Sequence, residues 1–228
     1  MNHHTPLRRL EEGGLIAAMY AALTMALTFS SFGVVQFRVA EMLTILPVFT
    51  PAAIPGLAVG CLVANLYGLM TGANLIGVWD LVLGPLATLV AAILTRALGR
   101  IRFKGLPVLA TLPPVLLNAA AVGWELTFVL FDFTWPLYGI NALQVALGQF
   151  AACTVCGLLL AAALEKSGAA RVLFGIKAAD AGIKGKKEPL DAGIRNYRIR
   201  RGSLMGGGRR LVYRGMPAEC PRDLQEGR

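Results

Sequence analysis

Apolar residues fill the chain almost without interruption up to Lys166, and polar residues break the run at intervals of about one membrane crossing. This pattern predicts six helices, over residues 14–32, 38–49, 52–69, 78–97, 107–131 and 139–164. The second is short for a hydrocarbon core of about 30 Å. Thr50-Pro51 ends it, because a residue before proline is pushed out of the helical region. It is therefore expected to tilt or to form a tight hairpin with the third. The first apolar run reads as a retained span and not as a cleaved leader, since no small-residue cleavage site followed by polar chain interrupts it.

Charge orients these helices. Arg8 and Arg9 precede the first helix, Arg96, Arg100, Arg102 and Lys104 fill the connection after the fourth, and Lys166 follows the sixth. An even number of crossings puts all three clusters on one face, which the positive-inside rule assigns to the cytoplasm together with both termini. The opposite connections, residues 33–37, 70–77 and 132–138, contain no Lys or Arg. Trp79, Phe131, Phe133, Trp135 and Tyr138 gather near them, as an interfacial aromatic belt does. The expectation is an all-α, multi-pass protein of the cell membrane.

Composition agrees: 56% of the residues are hydrophobic, 15% are charged, and the mean hydropathy is +0.61. Residues 1–13 are read as a cytoplasmic lead-in and 14–166 as the transmembrane domain. Residues 167–228 hold fourteen basic residues against six acidic ones, nearly the whole net charge of +9. With no sustained apolar period, this tail is expected to stay unfolded and to be drawn to anionic lipid; it has no recognisable nucleic-acid-binding module, and no specific nucleic-acid partner is expected. His3 and His4 lie before the first helix, and the CxxC of Cys153 and Cys156 sits inside an apolar one, so no metal site or hydrolase is predicted. No phosphate-binding GxxxxGK[ST] loop occurs, which excludes an ATPase.

Ionisable groups inside spanning helices each cost about 2.5–3.5 kcal/mol on insertion scales and normally face a cavity or a partner. Here they are few. Arg38 and Glu41 share a face of the second helix, Asn65 lies near the end of the third, Asp80 begins the fourth, and Asn118 and Glu125 share a face of the fifth. Asn141, Gln144 and Gln149 form a stripe on the sixth. Most of these fall in the outer half of the membrane, which points to one polar pocket. Simpler roles are also open: Arg38 snorkelling to head groups and pairing with Glu41, Asp80 capping its helix, and Asn65 and Asn118 bridging helices. Glu125, two turns inside its helix beside Trp124 and without a cation nearby in sequence, is harder to explain by a structural role, though that role also stays open, and is read as a ligand residue.

The strings QFRVAEMLTILPVFTPAAIPGLAVGCLVANL, WDLVLGPLATLVAAILT, LPPVLLNAAAVGWEL and ALGQFAACTVCGLLLAAALEK resemble the QueT family of queuosine-precursor transporters. These are substrate-binding S components of energy-coupling factor importers, and the resemblance spans residues 15–166. It implies a six-helix bundle, not an enzyme. Such a bundle takes up a 7-deazaguanine-type small molecule outside and delivers it inward through a transmembrane T component and two ATPase subunits, with no cofactor in this chain. A carboxylate accepts from the two adjacent donors of such a ligand while an arginine or amide donates to its carbonyl. Gln36, Arg38, Glu41, Asn65, Asp80, Asn118, Glu125 and Gln149 are the candidate ligand residues, with Trp124 or Phe37 as a stacking face. The family pattern has a glutamate where this chain has Gln149, so no charge-dependent role is carried to that position. S components for other vitamin-like heterocycles, and a scaffold without a small ligand, remain alternatives. On the first helix, Ala17, Ala18, Ala21 and Ala22 recur at four-residue spacing. Such stripes serve close packing within a bundle, or, as the resemblance implies, docking on the T component; several registers fit.

Overall fold

A computed structural model describes residues 6–32 and 37–174, without the side chain of Arg171. Gln36 and the basic tail from residue 175 onward lie outside the described residues. Among those described, every regular element is a helix and the only strand-like pairing is an isolated bridge between Phe103 and Leu106.

Helix α1 (Pro6–Ala26) is followed by the short α2 (Thr28–Ser31), a ten-residue 3-10 helix (Val39–Val48), α3 (Ala53–Met70), α4 (Val78–Leu98) and α5 (Leu112–Leu130). A continuous helical stretch then runs through α6 (Trp135–Gln149), a π-helical segment (Phe150–Cys156) and α7 (Gly157–Lys166), before the short α8 (Ala169–Phe174). Four stretches are long and apolar enough to cross a membrane: Ala53–Met70, Val78–Leu98, Val108–Leu130 and Trp135–Lys166. The predicted helix over 14–32 differs: α1 begins eight residues earlier, because the Arg8–Glu12 ion pair at i,i+4 supports helix in the charged lead-in. It breaks at Leu27, whose ψ of 37° is not helical.

The predicted 38–49 helix is present but overwound. Ten residues in 3-10 form rise about 20 Å, against about 15 Å for an α-helix, so the winding stretches a segment too short to cross. It runs through the middle of the bundle, with Ala40, Glu41, Leu43, Thr44, Ile45, Leu46 and Pro47 all buried. A turn at residues 49–52, closed by the Thr50 amide on the Leu46 carbonyl, folds it back onto α3. The Thr50 hydroxyl donates to Glu12 Oε2 at 2.8 Å and ties that turn to α1.

Packing follows the distribution of small residues. α1 lies against α3, and a Cβ on Gly56 would come within 2.6 Å of the Gly13 carbonyl, one on Gly60 within 2.9 Å of the Ala17 carbonyl. Glycine at these two positions is what allows the backbones to touch. α5 and α6 meet in the same way where Gly123 faces Ala142, at 2.7 Å from a would-be Cβ to the Ala142 Cα. The outside is apolar: Val59, Leu62, Val63 and Leu66 of α3, Val82, Leu86, Val90 and Ile93 of α4, and Leu143, Leu147 and Leu159 of the last helix are exposed. Apolar side chains outside and small or polar ones inside suit a lipid surround, and the protein is a multi-pass membrane protein.

One end of the bundle is basic and tied by side chains. Arg8 donates to the Leu173 carbonyl, Arg96 to the Pro47 carbonyl, and Arg102 pairs with Glu165. The other end carries the aromatic group of Phe133, Trp135 and Tyr138. Gly56→Leu should force α1 off α3 and lower stability by about 1–3 kcal/mol, the usual cost of overpacking. Gly14→Ala, where an added Cβ meets nothing within 4 Å, should leave thermal unfolding of the detergent-purified protein unchanged or slightly improved.

Candidate functional site

Chain reversal brings the polar residues together. The C-terminal part of α3 and the start of α4 meet the first turn of the 3-10 helix at one end of the bundle, and α5 packs on α4 beside them. In a 3-10 helix residues three apart eclipse, so Glu41 and Thr44 stand in one row, and Arg38 precedes the first turn in extended backbone. All three are buried, as are Asn65, Asp80, Asn118 and Glu125.

Asp80 is the hub. Its Oδ2 accepts from Asn74 Nδ2 at 2.8 Å and lies 3.7 Å from Arg38 Nη2. Its backbone carbonyl accepts from Asn65 Nδ2 at 2.7 Å. Gly84, one turn further along α4, gives the room for this, since a Cβ there would come within 2.6 Å of both Asn65 Nδ2 and Asp80 Oδ1. The Asn74 side-chain oxygen in turn accepts from the Ile76 amide and fixes the turn that leads into α4.

Arg38 is held on three sides. Besides Asp80 it reaches Cys61 Sγ at 3.8 Å, and its guanidinium carbon lies 5.2 Å from the centre of the Phe32 ring. Glu41 accepts from the Tyr20 hydroxyl at 2.5 Å, and Asn118 approaches it from α5. Its second oxygen, Oε2, has no hydrogen-bond partner. Glu125 is 0% exposed, and neither of its oxygens has one; the charges it faces are those of Asp80 and Arg38.

The remaining predicted residues are distributed as follows. Gln149 is buried at the end of α6 and accepts from the Cys153 thiol at 3.2 Å, across the start of the π-helical segment. Trp124 points the other way from Glu125: its ring stacks on Phe128 at 5.0 Å and meets Trp79 edge-on, both half exposed. The structure thus places Trp124 in an outer aromatic group and not beside the carboxylates. Asn141 donates to Thr127, joining α6 to α5. Cys153 and Cys156 lie in the π-helical segment, and among the described residues no group of three His, Cys, Asp or Glu converges as a metal site would. On α1, Gly13, Ala17 and Ala21 turn towards α3, whereas Gly14, Ala18 and Ala22 are exposed.

Sequence reasoning missed Tyr20, Asn74 and Phe32. Tyr20 lies at an apolar position of α1, and only the packing of α1 beside the 3-10 helix aims its hydroxyl at a carboxylate. A cavity of about 490 Å³ lies at the opposite end, lined by Arg9, Gly13, Ala17, Pro51, Gly56 and Val59 among others. Apart from Arg9 its walls offer no charged or amide side chain, so it lacks the convergent polar groups a small polar ligand needs.

Comparison with known proteins gives a family. A family model described as QueT transporter matches residues 10–166. The queuosine precursor transporter QueT of Lactococcus lactis subsp. cremoris (strain MG1363) is 35% identical over 79 residues, a match covering 33% of this chain and 42% of that protein. No solved structure matches.

Tyr20→Phe removes the 2.5 Å hydrogen bond from the Tyr20 hydroxyl to Glu41, with Asn118 still beside the carboxylate, and should destabilise the protein by about 1.5–3 kcal/mol, the range for a hydrogen bond to a charged group. Chemical or thermal unfolding in detergent measures it, and an unchanged stability would mean that Tyr20 does not hold the carboxylate.

Proposed function

The chain belongs to the QueT transporter family, and on that premise we propose that it is the substrate-binding S component of an energy-coupling factor importer for a queuosine precursor of the 7-deazaguanine type. The observation that carries this reading is the buried group of Arg38, Glu41, Asn65, Asp80 and Glu125, which leaves acceptor oxygens unpartnered inside an apolar bundle. An unmet buried acceptor costs about 1–3 kcal/mol, and a merely structural core has no use for several of them. A deazaguanine presents a ring N–H, an exocyclic amine and a carbonyl, a set that carboxylates and a guanidinium satisfy together. Specificity then comes from mismatch: an analogue lacking one of these groups leaves a buried partner unpaired.

The reading takes the chain to cross the membrane six times. α1 and the 3-10 helix join the four long apolar stretches as the crossings, both termini face the cytoplasm with the basic end, and the polar group lies towards the outer face. The domain runs over 14–166 between a short lead-in and the basic tail of 167–228, which is drawn to anionic lipid. The carboxylates are closed off from solvent, so entry of the ligand requires the elements around them to part. The exposed Gly14, Ala18 and Ala22 form a flat outer strip on α1, suited to close approach by helices of a T component whose two ATPases supply the energy.

Binding to the isolated chain should need no ATP. A 7-deazaguanine at 100 times its Kd should stabilise the purified protein by about 2.7 kcal/mol, read as a shift in thermal unfolding. Selective stabilisation by riboflavin or thiamine would make it an S component for another heterocycle, and no response to any of them would favour a scaffold. Ala18→Trp or Ala22→Trp, made singly, should leave ligand affinity within about threefold, because the strip faces away from the polar group, yet abolish co-purification with the T component. Loss of ligand binding with the complex intact would make the strip internal packing.

A further inference from the structure

We propose that the two buried glutamates divide a cationic ligand between them, Glu125 holding the paired donors of the deazaguanine edge and Glu41 a protonated amine on the side arm. The inference rests on the deazaguanine reading given above and names which member of that class fits.

The unpartnered side-chain atoms of the cluster are Glu41 Oε2, Asn65 Oδ1, Glu125 Oε1 and Glu125 Oε2. Every one is an acceptor. Most donors are already engaged: Asn65 and Asn74 spend their amides on Asp80, Tyr20 spends its hydroxyl on Glu41, and the Arg38 guanidinium lies between Asp80, Cys61 and the face of Phe32, while the Asn118 amide turns to Glu41. Charge is equally lopsided, with Arg38 as the one cation in the group against the carboxyl groups of Glu41, Asp80 and Glu125. A ligand that completes the site must therefore bring donors and positive charge together. A neutral deazaguanine brings only the first; one with an aminomethyl arm, protonated at neutral pH, brings both.

The occupancy of the oxygens separates the two roles. Glu125 has both oxygens free, and two coplanar acceptors match two parallel adjacent donors, here the ring N–H and the exocyclic amine. Glu41 has one oxygen taken by Tyr20 and one free, which suits an ammonium, a compact charge that needs no forked acceptor. Tyr20 thus acts as a positioning residue, setting which oxygen of Glu41 is offered.

The test compares 7-aminomethyl-7-deazaguanine with 7-cyano-7-deazaguanine by calorimetric titration of the detergent-purified full chain. The wild-type protein should bind the amine at least about tenfold more tightly, the worth of one charge-assisted hydrogen bond. Glu41→Gln, which keeps an acceptor for Tyr20, should collapse that ratio to near one. Glu125→Gln should weaken both ligands by roughly 10- to 100-fold and preserve the ratio. A wild-type protein that binds both equally overturns the proposal whether or not either variant folds. A ratio that collapses in Glu125→Gln and survives in Glu41→Gln also overturns it. If neither deazaguanine binds while another heterocycle does, the substrate reading itself fails and this inference falls with it.

Discussion

A guanidinium inside an apolar bundle dictates much of the surrounding structure. Burying Arg38 without a counter-charge would cost several kcal/mol, so Asp80 must come to it, and Asp80 in turn needs Asn74 and the Asn65 contact on its own backbone. These bonds fix how α3 and α4 meet and explain why Gly84 cannot carry a side chain without displacing Asn65 or Asp80. Glu41, one 3-10 turn further on, extends the same demand to α1 through Tyr20. The polar interior and the helix packing are thus one arrangement.

The glycines make that arrangement reachable. Tyr20 can meet Glu41 only because α1 lies almost in backbone contact with α3 at Gly13, Gly56 and Gly60. The same periodicity shifted by one residue, Gly14, Ala18 and Ala22, faces outward. One helix therefore carries two small-residue strips about 100° apart, one consumed by the bundle and one free for a neighbour.

Much of this was legible in the sequence because charges in apolar runs are costly and therefore conspicuous. Arg38, Glu41, Asn65, Asp80 and Glu125 stood out by that reasoning, and the structure brings them to one end of the bundle. The aromatic residues were harder to place. Trp124 follows Gly123 at the α6 contact and adjoins Glu125, yet a one-residue step of 100° carries it to the outer surface with Trp79 and Phe128. Tyr20 reads as an ordinary core aromatic until its neighbour is known. The helix forms were not legible either: nothing in VAEMLTILPV or FAACTVC marks 3-10 or π winding, although these two segments pack against each other. The apolar pattern shows the body of α1 but not its start, because residues 6–13 are largely charged and read as a lead-in.

The central claim is that the ligand sits among these buried carboxylates and not in the apolar cavity between α1 and α3. A structure of the protein bound to a 7-deazaguanine tests it most directly. The ligand should lie between Glu41 and Glu125, within hydrogen-bonding distance of both, with the Arg38–Asp80 pair retained. A ligand found instead against Arg9, Pro51 and Gly56, with Glu41 and Glu125 still unpartnered, would contradict the account.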